Sequence, residues 1–179
     1  VMAAAGFLVQ REYYVNDAGR QMDILTTSTW LRYLQLAGVA VPYPPNAYQG
    51  DYVQLMAQDI LAQHGARMVR TVTAVMTNVP ALKEDASDKD KETARDAHID
   101  ALIANAKQLL GGDFRLIHAH ALKVQVDDMR ADLTEFGVDY DCWYSEQSLY
   151  DDGLLEQALG KLIAAGHTYE KDSALWFRA

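Results

Sequence analysis

The sequence predicts a helix-rich α/β fold with two parallel strands, a long helical crossover between them and a C-terminal hairpin. Residues 8–15 and 138–144 are rich in β-branched and aromatic side chains, which favours strands. Most of the chain between them carries apolar residues at helical spacing. Because strands separated by long helical material are usually parallel neighbours joined by a right-handed crossover, we expect the two to share one sheet.

A helix is expected directly after the first strand. Asp17 is a good N-cap residue, and Gly38 follows the last apolar position. The apolar positions are Met22, Leu25, Trp30, Tyr33, Leu34 and Ala37. Three prolines then predict a loop over residues 39–50, and a second helix is predicted over residues 51–64.

Residues 83–96 mix both signs of charge and contain no large apolar side chain, so they are predicted to be a loop more mobile than its flanks. Two helices are expected next, one ending at Gly111 and a longer one from Asp113. The longer helix has an apolar stripe formed by Leu122, Val126, Met129, Leu133 and Phe136.

The C-terminal part is predicted to hold a helix over residues 151–165, stopped by Gly166, and a hairpin pairing residues 169–171 with 175–177. Both chain ends interrupt apolar elements, so we expect one partial domain from a longer protein. Its parts are residues 1–64 with the first strand, 65–112 with a variable loop and helix, 113–150 with the long helix and second strand, and 151–179.

Composition narrows the possible functions. The net charge of -9 argues against a broad basic face for nucleic acid. Cys142 is the single cysteine and cannot form an internal disulfide, and no apolar run reaches membrane-spanning length, so we expect a cytoplasmic protein without membrane contact. His118 and His120 would point about 200° apart on a helix, which argues against a shared metal ion.

Parallel strands bind ligands beyond their carboxyl ends. Here those ends are Asn16 and Asp17 on the first strand, and Ser145 and Glu146 on the second. A helix opening at Ala18 would add free amides suited to a carboxylate or phosphate. The alternative is that Asn16 and Asp17 only cap that helix, and that Glu146 only serves the first turn of the next one.

Several motifs carry a family resemblance. The segment REYYVNDAGRQMDIL, from Arg11 to Leu25, resembles the segment that follows the ATP-binding HIGH-type motif in bacterial arginyl-tRNA synthetases. LRYLQLAG, YQGDYV, DAHIDALI, WYSEQSLY and GHTYEKDSALWFR follow in the order of that family. Residues 66–95 show no family pattern, and the last motif is also similar to other class I synthetases, including the cysteinyl ones.

The resemblance implies an internal fragment of a Rossmann-type class I synthetase catalytic domain, with a connective insertion starting at residues 151–179. The parent enzyme would activate arginine with ATP and Mg2+ and transfer it to the 3′ end of tRNA(Arg), as a monomer. Tyr14, Asn16, Asp17, Gln21 and Glu146 are then expected to bind substrate, with Asp17 facing a cationic guanidinium or ammonium group.

HIGH-type and KMSKS-type motifs do not occur in these 179 residues. They hold ATP phosphates in the family, so the fragment alone is expected to be inactive, with no cofactor bound. Two other interpretations stay open at this stage. One is a free-standing acidic helical module that binds a partner through the stripe between Leu122 and Phe136, and the other is a fragment of another class I synthetase such as the cysteinyl enzyme.

Overall fold

The computed structural model describes residues 1–83 and 85–178, which form two compact units. The strand unit consists of Val1–Ala18 and Val138–Ala179, and the helical unit consists of Gly19–Gly137. Each unit has its own internal packing and is described by itself below.

The strand unit contains the predicted parallel pair. Strand β1 (Glu12–Val15) runs parallel to β2 (Cys142–Ser145), with Val15 opposite Ser145. The parallel arrangement is confirmed, although both strands are shorter than predicted. Residues 8–11 are exposed, so their apolar and β-branched character does not by itself extend the strand.

The rest of the strand unit is helical and then β-hairpin. Helices α6 (Gln147–Asp151) and α7 (Leu154–Ala164) replace the single helix predicted over residues 151–165. They are separated at Gly153, whose φ of 67° lies in the left-handed region that interrupts a helix. Strands β3 (Thr168–Lys171) and β4 (Ala174–Phe177) form the predicted antiparallel hairpin.

The helical unit, over residues 19–83 and 85–137, contains five helices. They are α1 (Arg20–Leu36), α2 (Asp51–His64), α3 (Val72–Val75), α4 (Asp88–Leu110) and α5 (Gly112–Glu135). Helix α1 packs against α2, α4 and α5, and its side chains supply the centre of the core. The predicted second helix over residues 51–64 is confirmed.

Helix α1 buries four consecutive hydroxyl side chains, Thr26 to Thr29, and three of them form hydrogen bonds. The hydroxyls of Thr26, Ser28 and Thr29 each donate to the carbonyl four residues earlier, at 2.7 to 2.9 Å. Trp30, fully buried, donates its indole N–H to the carbonyl of Met68 at 3.0 Å. Local and tertiary hydrogen bonds therefore offset the cost of burying these polar groups.

The predicted loop over residues 83–96 is wrong from residue 88 onward, because α4 begins at Asp88. Ser87 caps this helix: its hydroxyl oxygen accepts from the amide of Asp90 at 3.3 Å and its proton is donated to the Asp90 carboxylate at 2.7 Å. A cap of this kind stabilises a helix end by about 1 kcal/mol. Glu84 lies outside the described residues.

Tertiary contacts add to that cap. Arg20 forms ion pairs with Asp96 at 3.0 Å and with Asp100 at 2.8 Å, and Ala94 is buried. Charge composition alone predicted disorder here because it counts charged side chains as solvated. In the structure Asp96, at the end of that segment, and Asp100, just beyond it, hold α4 to the beginning of α1.

Helix α5 uses a different part of its surface than the stripe suggested. The buried side chains are Phe114, Ile117 and Ala121 in its first half. Leu122 is only half-buried, and Phe136, the last member of the stripe, is 85% exposed. The periodicity correctly predicted a helix but did not identify the core-facing segment. Over the described residues, no helix is long and apolar enough to cross a membrane.

Candidate functional site

The carboxyl ends of β1 and β2 form a polar edge, which we call the rim and define as Tyr14, Asn16, Asp17, Ser145 and Glu146. Because the strands are parallel and in register, these ends fall at the same edge of the pair. The backbone amide of Glu146 donates to the carbonyl of Val15 at 3.0 Å, which extends the pairing beyond β2. The rim predicted from the sequence is thus formed within one unit.

Asp17 is the most buried polar member of the rim, with 5% of its surface exposed. Its Oδ2 accepts a hydrogen bond from the Ser145 hydroxyl at 2.6 Å, and its Oδ1 accepts one from the backbone amide of Gln147 at 2.8 Å. Burying a carboxylate is costly unless it is hydrogen-bonded, and both oxygens are. The Asp17 carboxylate therefore holds the beginning of α6 against the end of β1.

The alternative that Asp17 caps the helix following β1 is wrong. Helix α1 begins at Arg20, with Gly19 at its N-cap and no side chain accepting from its first amides. Gly19 has φ 87° and ψ -172°, a conformation open to glycine, and the chain turns there before the helix starts. Asp17 satisfies an amide of α6 instead, 130 residues further along the chain.

Ser145 is a rim residue whose role sequence reasoning missed. Its hydroxyl donates to Asp17 and accepts from the backbone amide of Ser148 at 3.2 Å. The Ser148 hydroxyl in turn donates to the carbonyl of Ser145 at 2.7 Å. A serine three residues before another at a junction between strand and helix is the pattern of a helix cap, and this spacing was the available signal.

Tyr14 and Glu146 form the more accessible part of the rim. Tyr14 is 53% exposed, and its side chain is hydrogen-bonded to that of Glu146. Partial desolvation and this hydrogen bond raise the pKa of Tyr14, and the charges of Glu146 and Asp17 act in the same direction. The phenol is therefore the donor and the Glu146 carboxylate the acceptor.

The remaining predicted site residues are placed differently. Asn16 is exposed beside Asp17 in the strand unit. Gln21 belongs to the helical unit, where its Oε1 accepts from the Tyr48 hydroxyl at 3.2 Å. The structure thus brings Tyr14, Asn16, Asp17 and Glu146 into one unit and places Gln21 in the other.

The chemistry of the rim favours a cation. It presents two carboxylates, a phenol and an amide, and over residues 1–83 and 85–178 neither carboxylate has a basic side chain as an ion-pair partner. A guanidinium or ammonium group would find charged acceptors here. The described residues contain no cluster of three or more histidine, cysteine or acidic side chains suited to a metal ion.

Comparison with known proteins gives the class to which the chain is related. No family model matches. The chain is 52% identical over 180 residues to the arginine–tRNA ligase of Dechloromonas aromatica strain RCB, with 100% of the chain and 31% of that protein covered. It is 52% identical over 181 residues to the enzyme of Azoarcus sp. strain BH72 and 51% identical over 180 residues to that of Thioalkalivibrio sulfidiphilus, again with 100% of the chain and 31% and 30% of those proteins covered.

A crystal structure described as an arginyl-tRNA synthetase of Campylobacter jejuni has the same fold, with a TM-score of 0.51 and 24% identity. The match covers 96% of this chain and 29% of that one.

These relatives are aminoacyl-tRNA synthetases, and the chain is homologous to that class of enzyme. Within the class, its full length corresponds to a segment of the arginine–tRNA ligases, which confirms the family resemblance seen in the sequence. The chain spans about three tenths of the length of these relatives, 31% for the first two.

Proposed function

We propose that this chain is part of an arginine–tRNA ligase that activates arginine with ATP to arginyl adenylate and transfers the arginyl group to the 3′ end of tRNA(Arg). The observation that carries the proposal is an identity of about half over the whole chain to enzymes of that name. We also propose that the parallel pair belongs to a Rossmann-type class I catalytic domain. The parallel register of β1 and β2 supports this assignment.

Arginine recognition is assigned to the rim. Glu146 is half-buried and lies close enough to the Tyr14 phenol to raise its pKa, so a carboxylate is available beside a hydrogen-bond donor at the rim. A carboxylate can pair with two N–H groups of a guanidinium fork. Asn16 is exposed at the end of β1, and its amide can accept hydrogen bonds from or donate them to polar parts of the same substrate.

Asp17 contributes to arginine recognition through its negative charge and through its hydrogen bond to the first residue of α6. Both of its oxygens already accept a hydrogen bond within the strand unit, yet each retains a further lone pair. We therefore propose that it adds negative potential at the rim and keeps Glu146, the residue before α6, in place. We also propose that Gln21, in the helical unit, binds substrate.

ATP does not fit the rim, because a triphosphate needs cationic side chains and the rim offers carboxylates. Among the described residues no cluster of three or more histidine, cysteine or acidic side chains is present to hold Mg2+. We propose that these groups bind residues of the longer enzyme, where HIGH-type and KMSKS-type motifs would lie. The chain alone should then show no arginine-dependent exchange of pyrophosphate into ATP. Since the proposed partner is tRNA, we propose that the enzyme is cytoplasmic. We also propose that it acts as a monomer, as the family resemblance implies.

The test is a Glu146→Gln variant of the ligase that carries this segment, with Glu170→Gln as a matched control. Glu170 is an exposed glutamate in β3 of the same unit. Losing a charge-assisted hydrogen bond costs about 1.5 to 3 kcal/mol, so kcat/KM for arginine should fall roughly ten- to a hundredfold. The KM for ATP should change little. Unchanged arginine kinetics in Glu146→Gln, or equal losses in both variants, would refute the assignment.

A further inference from the structure

A basic cavity lies in the helical unit, which contains none of the residues that define the rim. Its volume is about 300 Å³, and it is lined by Pro45, Leu82, Lys83, Lys91 and Arg95. Three of these five side chains are cationic. The chain as a whole has 25 acidic and 16 basic residues, so such a concentration of positive charge departs from the composition around it.

The cavity wall is held by contacts between two segments of the chain. Lys91 and Arg95 are four residues apart on α4, and residues at that spacing share one face of a helix. Asn46, next to Pro45, donates its side-chain amide to the carbonyl of Arg95 at 3.0 Å. This hydrogen bond ties the proline-containing loop to α4 and fixes the distance across the cavity.

The cations of the cavity are not engaged in ion pairs with the acidic side chains that the structure describes. Within the described part of the chain, Lys83, Lys91 and Arg95 take part in no ion pair. The neighbouring carboxylate of Asp96 is occupied by Arg20 at 3.0 Å. An anion entering the cavity would therefore meet unpaired cations and not compete with a carboxylate already bound to them.

We propose that this cavity binds a phosphate group of an RNA backbone. Lysine and arginine are the side chains that contact phosphates in nucleic-acid complexes, and Arg95 can donate two parallel hydrogen bonds to one phosphate. Pro45 and Leu82 give an apolar surface beside the cations, which suits the sugar on either side of a phosphodiester. The choice of RNA over a free phosphate compound rests on the proposed function, whereas the choice of a phosphate rests on the cavity.

The experiment measures binding of a fluorescently labelled tRNA transcript to the 179-residue chain by anisotropy, at several salt concentrations. The variant carries Lys91→Gln and Arg95→Gln. The control carries Lys89→Gln and Lys161→Gln, which remove the same charge from exposed positions that do not line the cavity. We expect the cavity variant to bind at least about fivefold more weakly, with the slope of log affinity against log salt reduced by about 1. The control should keep the original slope.

Additional variants and competition experiments distinguish the loss of a phosphate contact from unfolding and from binding of a free phosphate compound. A Lys91→Arg variant keeps the charge and should retain binding, and circular dichroism checks that both double variants are folded. Equal losses in the control and the cavity variant, or no measurable tRNA binding by the chain, would overturn the proposal. Displacement of the transcript by inorganic phosphate or ATP at about 1 mM would assign the cavity to a free phosphate compound and refute the RNA ligand. The arginine kinetics of Glu146→Gln do not depend on this cavity, so failure here leaves the proposed function intact.

Discussion

The carboxylate of Asp17 accepts a hydrogen bond from the backbone amide of Gln147 at 2.8 Å, although 130 residues separate the two in the sequence. The same carboxylate accepts from Ser145 at 2.6 Å, on the strand that lies beside β1. One buried side chain therefore joins the end of β1 to both the end of β2 and the start of α6. The position of Glu146, between Ser145 and Gln147, depends on this connection.

Replacing Asp17 should loosen that junction in a graded way. In Asp17→Ala the Gln147 amide and the Ser145 hydroxyl lose their partner, which costs about 1.5 to 3 kcal/mol for hydrogen bonds to a charged group. In Asp17→Asn the side-chain oxygen can still accept from Gln147, so the loss should be smaller. Native-state hydrogen exchange of the Gln147 amide measures the effect. Equal protection in wild type and Asp17→Ala would show that the bond contributes nothing.

The Asp17→Asn variant also separates charge from geometry in the complete ligase. If the negative charge of Asp17 acts on the substrate, the KM for arginine should rise more than the KM for ATP. The loss in kcat/KM for arginine should lie between roughly ten- and a hundredfold, as expected for a charge-assisted interaction. Steady-state kinetics, with arginine and ATP varied in turn, measure the two KM values. A folded Asp17→Asn enzyme with unchanged arginine kinetics would leave Asp17 with a positioning role only.

Tyr14 should titrate above its ordinary pKa of 10.0, because partial desolvation, the hydrogen bond to Glu146 and nearby negative charge all favour the neutral phenol. Since the folded-state pKa is raised, the contribution of Tyr14 to stability is fully present below pH 10 and is lost as the pH rises through the folded-state value. Ultraviolet difference titration of wild type against Tyr14→Phe isolates this phenol. Glu146→Gln should lower its pKa and Glu170→Gln should not. A Tyr14 titration that is insensitive to Glu146→Gln would contradict the hydrogen bond.

Substitutions in the turn of the C-terminal hairpin should raise the stability of the hairpin. Asp172 and Ser173 have φ of 52° and 60°, so both occupy the left-handed region required by a type I′ turn. Asn and Gly tolerate that region better. Asp172→Asn with Ser173→Gly should therefore stabilise the hairpin by up to about 1 kcal/mol, after the greater freedom of glycine in the unfolded chain is subtracted. Ser173→Val should destabilise it, because a β-branched residue is strained there. Amide exchange across β3 and β4 gives the measure, and a Val variant as protected as wild type would refute the argument.

Sequence patterns over short segments predicted the helices and the hairpin that are determined by residues close together in the chain. Apolar spacing identified α2 over its full length, and the paired segments at residues 169–171 and 175–177 identified the hairpin, whose turn is one residue shorter than predicted. The same reasoning failed between Asp88 and Asp96, where charge composition indicated a loop. There the decisive terms were the Ser87 cap and the ion pairs of Asp96 with Arg20, and the second of these joins residues 76 apart.

The sequence by itself indicated the family resemblance, most of the helices, the two strands and the residues at their carboxyl ends, because motifs and hydrophobic periodicity are properties of short segments. Tertiary structure alone decided which amide Asp17 would satisfy. A capping side chain binds whichever unpaired N–H lies within reach. Gly19 turns the chain before α1, while the parallel pairing of β1 with β2 brings the first amides of α6 to Asp17. That choice depends on the pairing of strands more than a hundred residues apart, which no local pattern encodes.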